Sequence, residues 1–117
     1  MHASEQSSHE CRCLEGNRYY ENFEDWFLGE DAQFGQVTIS QCKQGGRLWL
    51  DYLMEYEHRT AEGRWFRGLI TPEIAAFVTP ATAQKVLEGL DWYFLGGSAF
   101  GGKVSRIPSG QLKYWLI

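Results

Sequence analysis

Between Arg47 and His58 the chain alternates. Leu48, Leu50, Tyr52, Met54 and Tyr56 hold the even positions, all apolar or aromatic. Arg47, Trp49, Asp51, Leu53, Glu55 and Glu57 hold the odd ones, which are mostly polar. A period of two places one set of side chains on a buried sheet face and the other towards water. A helix fits less well, since Tyr52 and Tyr56 follow Leu48 at four-residue steps while the three-residue steps land on Asp51 and Glu55. The pattern predicts a long central strand.

Its neighbours read in the same way. Gln36–Cys42 alternates and is rich in β-formers, and Lys43–Gly46 supplies a tight turn into the central strand. Thr60–Gly63 is a second turn, after which Arg64–Ile70 continues as a third strand, completing an antiparallel meander. Upstream, Tyr19, Tyr20, Phe23, Trp26 and Phe27 recur at three- and four-residue spacing before Gly29, which predicts a short amphipathic helix. Thr71-Pro72 and Thr79-Pro80 each pair an N-cap with a proline suited to the first helical position. The first opens only a short piece, Ile74–Val78, for which an extended form is equally open. The second predicts the longest helix, Pro80–Leu95, with Ala83, Val86, Leu87, Leu90 and Phe94 on one stripe and Gln84, Lys85, Glu88 and Asp91 facing away. This helix is expected to lie over the even face of the central strand. Gly96–Gly102 must be a loop, and Lys103–Ile107, Pro108–Gly110 and Gln111–Ile117 read as a closing β-hairpin.

The expected architecture is therefore α+β: a single domain over residues 17–117, with a mainly antiparallel sheet packed by one long and one short helix. Residues 1–16 are polar and unpatterned, which predicts a mobile tail. Composition agrees with a packed domain, since 44% of the 117 residues are hydrophobic. Aromatics make up 15%, with five Trp, six Tyr and seven Phe, enough for some to be expected at an interface. Three cysteines make no disulfide framework. The first residues lack the basic start and apolar run of a secretory signal, and no apolar run approaches the ~18 residues of a membrane helix. A cytoplasmic protein is expected.

The net charge of −4 is unevenly placed. Glu5, Glu10, Glu15, Glu21, Glu24, Asp25, Glu30 and Asp31 face only Arg12 and Arg18 across residues 1–31, whereas residues 103–117 hold Lys103, Arg106, Lys113 and no acid. Nucleic acid is disfavoured as a partner, because the charge has the wrong sign and no basic cluster surrounds Trp65, Phe66 or Trp115.

Motifs of known chemistry are few. Gly97–Lys103 satisfies the glycine and lysine spacing of a phosphate-binding loop, but Val104 stands where a Ser or Thr should hold magnesium, and a strand rather than a helix is expected next. His9, Cys11 and Cys13 are soft ligands without a second cysteine pair, and Cys42 fits a small buried strand residue. Asp51, Glu55 and Glu57 share one face of the central strand, yet no nucleophile, base and orienting group come together. No enzyme, metal or cofactor is expected.

What remains is an acidic, aromatic-rich surface, suited to docking a basic protein: charge speeds encounter and aromatics hold. The expected contacts are Glu24, Asp25, Glu30, Asp31, Asp51, Glu55 and Glu57, with Trp49 as an aromatic anchor. In size and charge alone the profile resembles that of a bacterial immunity protein neutralising a toxin or nuclease. Two alternatives are a ligand-binding protein or enzyme with a pocket lined by Tyr52, Tyr56, Trp65 and Phe94, and a secretion chaperone or adaptor.

Overall fold

A computed structural model describes residues 23–54, 63–108, 110 and 112. Six strands form one sheet in sequence order: β1 (Phe23–Glu30), β2 (Gln36–Cys42), β3 (Leu48–Met54), β4 (Arg64–Ile70), β5 (Trp92–Gly96) and β6 (Ser105–Pro108). Every neighbouring pair is antiparallel. Among the described residues two short helices, α1 (Pro72–Ala75) and α2 (Ala83–Gly89), accompany the sheet in a mostly-sheet α+β domain, with a 3-10 turn at Ser98–Phe100. No helix among the described residues is long and apolar enough to cross a membrane.

Pairing follows the alternation of the central strand. Val37 lies opposite Tyr52 and Ile39 opposite Leu50, while Tyr52 faces Phe66 and Leu48 faces Ile70 on the other side. These side chains share one face with Tyr93, Leu95 and Ile107 and form the main core, closed by Val78, Ala83, Leu87 and Leu112. Gly68 explains how closely α2 sits. A Cβ there would run into the end of Leu90 and come within 2.9 Å of Leu87, so the missing side chain is the seat for both leucines.

Two expectations are corrected. Phe23–Glu30 is a strand, not part of a helix: the helical spacing of Phe23, Trp26 and Phe27 is coincidental, and β2 supplies an unbroken antiparallel partner from Phe23 to Phe27. The long helix is cut to seven residues. Leu90, in extended conformation, ends it, and Trp92–Gly96 pairs with both β4 and β6. Trp-Tyr-Phe-Leu is a β-favouring run whose burial in the sheet outweighs the helical stripe that included Phe94. β6 pairs with β5. Of Gln111–Ile117, expected as the second strand of a closing hairpin, only Leu112 is described, and it is buried, so that expectation lies outside the described residues.

Thr71 does cap α1, its hydroxyl accepting the Ile74 N–H at 3.1 Å. Thr79 and Thr82 trade hydroxyl and backbone bonds across the turn that leads into α2. The tail over 1–16 with His9, Cys11 and Cys13, the aromatics Tyr19 and Tyr20, and the segment carrying Glu55, Tyr56, Glu57 and His58 lie outside the described residues.

Candidate protein-binding edge

β1 is the first strand of the sheet, and among the described residues only β2 pairs with it. Phe23 alone in it is buried. Alternation puts Glu24 and Trp26 on the face covered by the helices and Asp25 and Phe27 on the other. After Phe27 the register slips by one residue, a β-bulge at Leu28, so that Gly29 rather than Leu28 lies opposite Val37. Trp26, Phe27 and Leu28 remain 45%, 64% and 38% exposed, three large apolar side chains in a row. Glu24, Asp25 and Glu30 are exposed around them, and no Lys, Arg or His occurs between Phe23 and Cys42. Gly29 has φ +127°, in a region that favours glycine, and Pro80 packs against it.

The turn that ends β1 is built on Asp31. One oxygen of its carboxylate accepts the Gln33 N–H at 3.0 Å and the Gly35 N–H at 2.8 Å. The other accepts the Tyr52 hydroxyl at 2.5 Å and the Gln84 amide at 3.0 Å. The Gln84 amide nitrogen also lies 2.7 Å from both the Gln33 side-chain oxygen and the Tyr52 oxygen, so its two hydrogens are shared among three acceptors. Gly35 is needed because the Tyr52 ring passes where its Cβ would be. Burial opposes the charge on Asp31, but the bonds from Tyr52, Gly35, Gln33 and Gln84 together outweigh it and hold its carboxyl below the usual range. The effect is to tie the β1–β2 turn to β3 and α2 at once.

Phe34, at the tip of the same turn, is 77% exposed and has φ +66°, an uncommon conformation for a bulky residue. An open cleft of about 730 Å³ separates this turn from α2, lined among others by Glu30, Asp31, Gln33, Pro80, Lys85 and Glu88. Phe77, before the Thr79–Thr82 turn, is 74% exposed.

The expected contact residues therefore divide. Glu24, Asp25 and Glu30 stand on the open strand. Asp31 is half-buried and its carboxylate is occupied within the fold. Trp49 has no surface to offer: it is fully buried, stacked on Phe94 with ring centroids 5.9 Å apart and edge-on to Trp92. Asp51 accepts the Ser40 hydroxyl at 2.6 Å, and its other oxygen lies 3.3 Å from the Arg67 Nε in an ion pair. Arg67, opposite Asp51 in the register, is itself buried, its guanidinium 4.4 Å from the Phe23 ring and 4.8 Å from Trp49. The odd face of β3, expected in water, is thus a second cluster of Phe23, Cys42, Trp49 and Phe94 with Trp65, Leu69 and Trp92 against it. Glu55 and Glu57 are outside the described residues.

The alternative pocket does not assemble from the described members of its lining. Tyr52 packs in the main core while Trp65 and Phe94 belong to the cluster on the opposite face. The Gly97–Lys103 segment follows β5 and forms a 3-10 turn, and the next described element is strand β6, where a phosphate loop requires a helix N-terminus. Among the described residues no three His, Cys, Asp or Glu side chains gather as a metal site.

Sequence reasoning missed the exposure of Trp26, Phe27, Leu28 and Phe34 and the inward turn of Gln84. The signal for the first was two adjacent acids running straight into Trp26-Phe27-Leu28, a block with no polar position on either face to separate an outside from an inside. The chain matches no protein-family model, and no curated protein or solved structure is similar to it.

Proposed function

We propose that this protein is a binding module of inhibitor type that docks a basic protein, such as a toxin or nuclease, through β1 and the turn that follows. The observation that carries the reading is the run Trp26-Phe27-Leu28, exposed on the strand that is outermost among the described residues and bracketed by Glu24, Asp25 and Glu30. Large apolar side chains held side by side in water are a feature of interfaces, where aromatics supply most of the binding energy. The carboxylates around them attract a cationic surface and orient it during encounter. Asp31 serves the same surface from beneath, by fixing the turn on which Glu30 and Phe34 stand.

The test is affinity capture on the immobilised protein at low salt, followed by titration of the purified partner. A basic partner whose affinity falls at least tenfold between 50 and 500 mM NaCl, a range in which the screening length falls from about 14 to 4 Å, supports the reading. So does a loss of about tenfold or more in the W26A/F27A double variant. Salt-independent binding, or binding indifferent to both substitutions, overturns it.

A further inference from the structure

We propose, resting on that reading, that the cleft between the β1–β2 turn and α2 receives an arginine carried on a loop of the basic partner. At about 730 Å³ the cleft falls in the range that encloses a drug-sized ligand, which is room for a short loop. Ala32, Pro80, Ala81 and Leu112 give it apolar walls, against which a long aliphatic stem packs. Three carboxylates line it, those of Glu30, Asp31 and Glu88, against the one ammonium of Lys85. Asp31 uses its oxygens inside the fold, but every donor it meets is neutral, so its charge still acts on the cleft. Glu30 ends β1 and Glu88 stands in the last turn of α2, so the two remaining acids come from different walls. A guanidinium presents five donors in one plane and can serve both, which the point charge of a lysine does less well.

The loops on both sides of the cleft also carry apolar contact surface. Phe34 follows Gln33 on one, and Phe77 stands two residues before Thr79 on the other. At 77% and 74% they are the two most exposed large apolar side chains among the described residues. Their backbones are nonetheless fixed: the Phe34 N–H donates to the Asp31 carbonyl at 3.0 Å, and the Phe77 carbonyl accepts the Thr82 hydroxyl at 3.0 Å. Contacts held in place beforehand lose less freedom when a partner arrives. The four arginines among the described residues are all engaged within the fold, so none is offered to the cleft of a second copy. Arg67 is buried beside Asp51, Arg106 lies 3.9 Å from the Trp92 ring centroid, and Arg47 and Arg64 have partners of their own.

The test uses the full chain and two capped tripeptides, Phe-Arg-Phe and Phe-citrulline-Phe, which match in shape and differ in the central charge. The expected result is binding of the arginine peptide about fivefold tighter, an advantage lost in E88Q. Amide shifts should centre on Ala32, Gln33, Ala81 and Gln84. Equal binding of the two peptides, no binding of the arginine peptide at millimolar concentration, or an advantage unchanged in E88Q overturns the cleft. With the purified partner, A81W fills the cleft from an exposed position and is expected to weaken binding about tenfold or more. E88Q should weaken the same complex without added bulk. A partner that responds to salt and to W26A/F27A but to neither A81W nor E88Q overturns the arginine cleft and leaves the docking surface on β1 standing.

Discussion

The hydroxyl of Tyr52 donates to the carboxylate of Asp31 at 2.5 Å, joining the centre of β3 to the turn that ends β1. The ring reaches that carboxylate by passing under Gly35, and Gln84 of α2 closes the group from above. Three elements distant in sequence are held by one acid.

Removing the hydroxyl in Y52F is expected to cost about 1.5–3 kcal/mol of folding stability, the usual range for a hydrogen bond to a charged group. D31N should cost more, since an amide cannot accept from all four donors. The pH dependence has a definite sign. Asp31 is more acidic in the fold than in the open chain, so its contribution is present above about pH 4 and is lost as the pH falls through the folded value. Urea titrations should therefore show the gap between wild type and D31N full at pH 7 and shrinking below about pH 4. A gap that widens in acid would refute the assignment.

Asp51 and Arg67 make a second test. Truncation in D51A removes the carboxylate beside a guanidinium buried between two aromatic rings, which is expected to cost up to about 3–5 kcal/mol. The double variant D51L/R67M should recover much of that loss, because well-packed apolar residues often replace a buried pair at little cost. The measurement is a double-mutant cycle by urea unfolding, and additive losses would count against the pair.

W26A and F27A are expected to change stability by less than about 1 kcal/mol, because both side chains stand largely in solvent. The same substitutions should weaken partner binding at least tenfold. Denaturation and binding measured on one preparation separate a contact surface from a hidden structural role.

Phe34→Asn relieves a left-handed conformation that an aromatic residue adopts poorly and asparagine readily. A gain of about 0.5–1 kcal/mol in unfolding free energy is expected. Loss of the exposed ring should at the same time lower affinity for the partner. An F34N protein less stable than wild type would show that the ring packs in a way its 77% exposure does not indicate.

How far the sequence led depends on which neighbours a residue needs. Leu50, Tyr52 and Met54 were legible as buried because period two within one strand suffices. Trp49 and Asp51 were not, because their burial depends on Arg67, Phe23 and Phe94, brought beside them by pairing across three other strands. Local pattern also failed where two periods overlapped. Phe23, Trp26 and Phe27 satisfy a helix as well as a strand, and only the pairing with β2 decides between them. Gln84 looked like a solvent-facing helix position, and the acid that turns it inward lies 53 residues away. Of the surface proposed for docking, the exposure of the acids of β1 was legible, whereas Trp26 and Phe27 fitted a helix's apolar stripe and stand in solvent on a strand.

The one-residue slip at Leu28 has a consequence for what changes this region can accept. Excising that residue would leave Phe27 opposite Thr38 and Gly29 opposite Val37, which is unbroken antiparallel pairing, so the residues beyond it would keep their partners in β2. Asp31 would stay within reach of the Tyr52 hydroxyl, while the Trp-Phe-Leu triplet would shrink to a pair. The extra residue thus belongs to the adhesive surface and not to the latch, so a single deletion can trim one without disturbing the other.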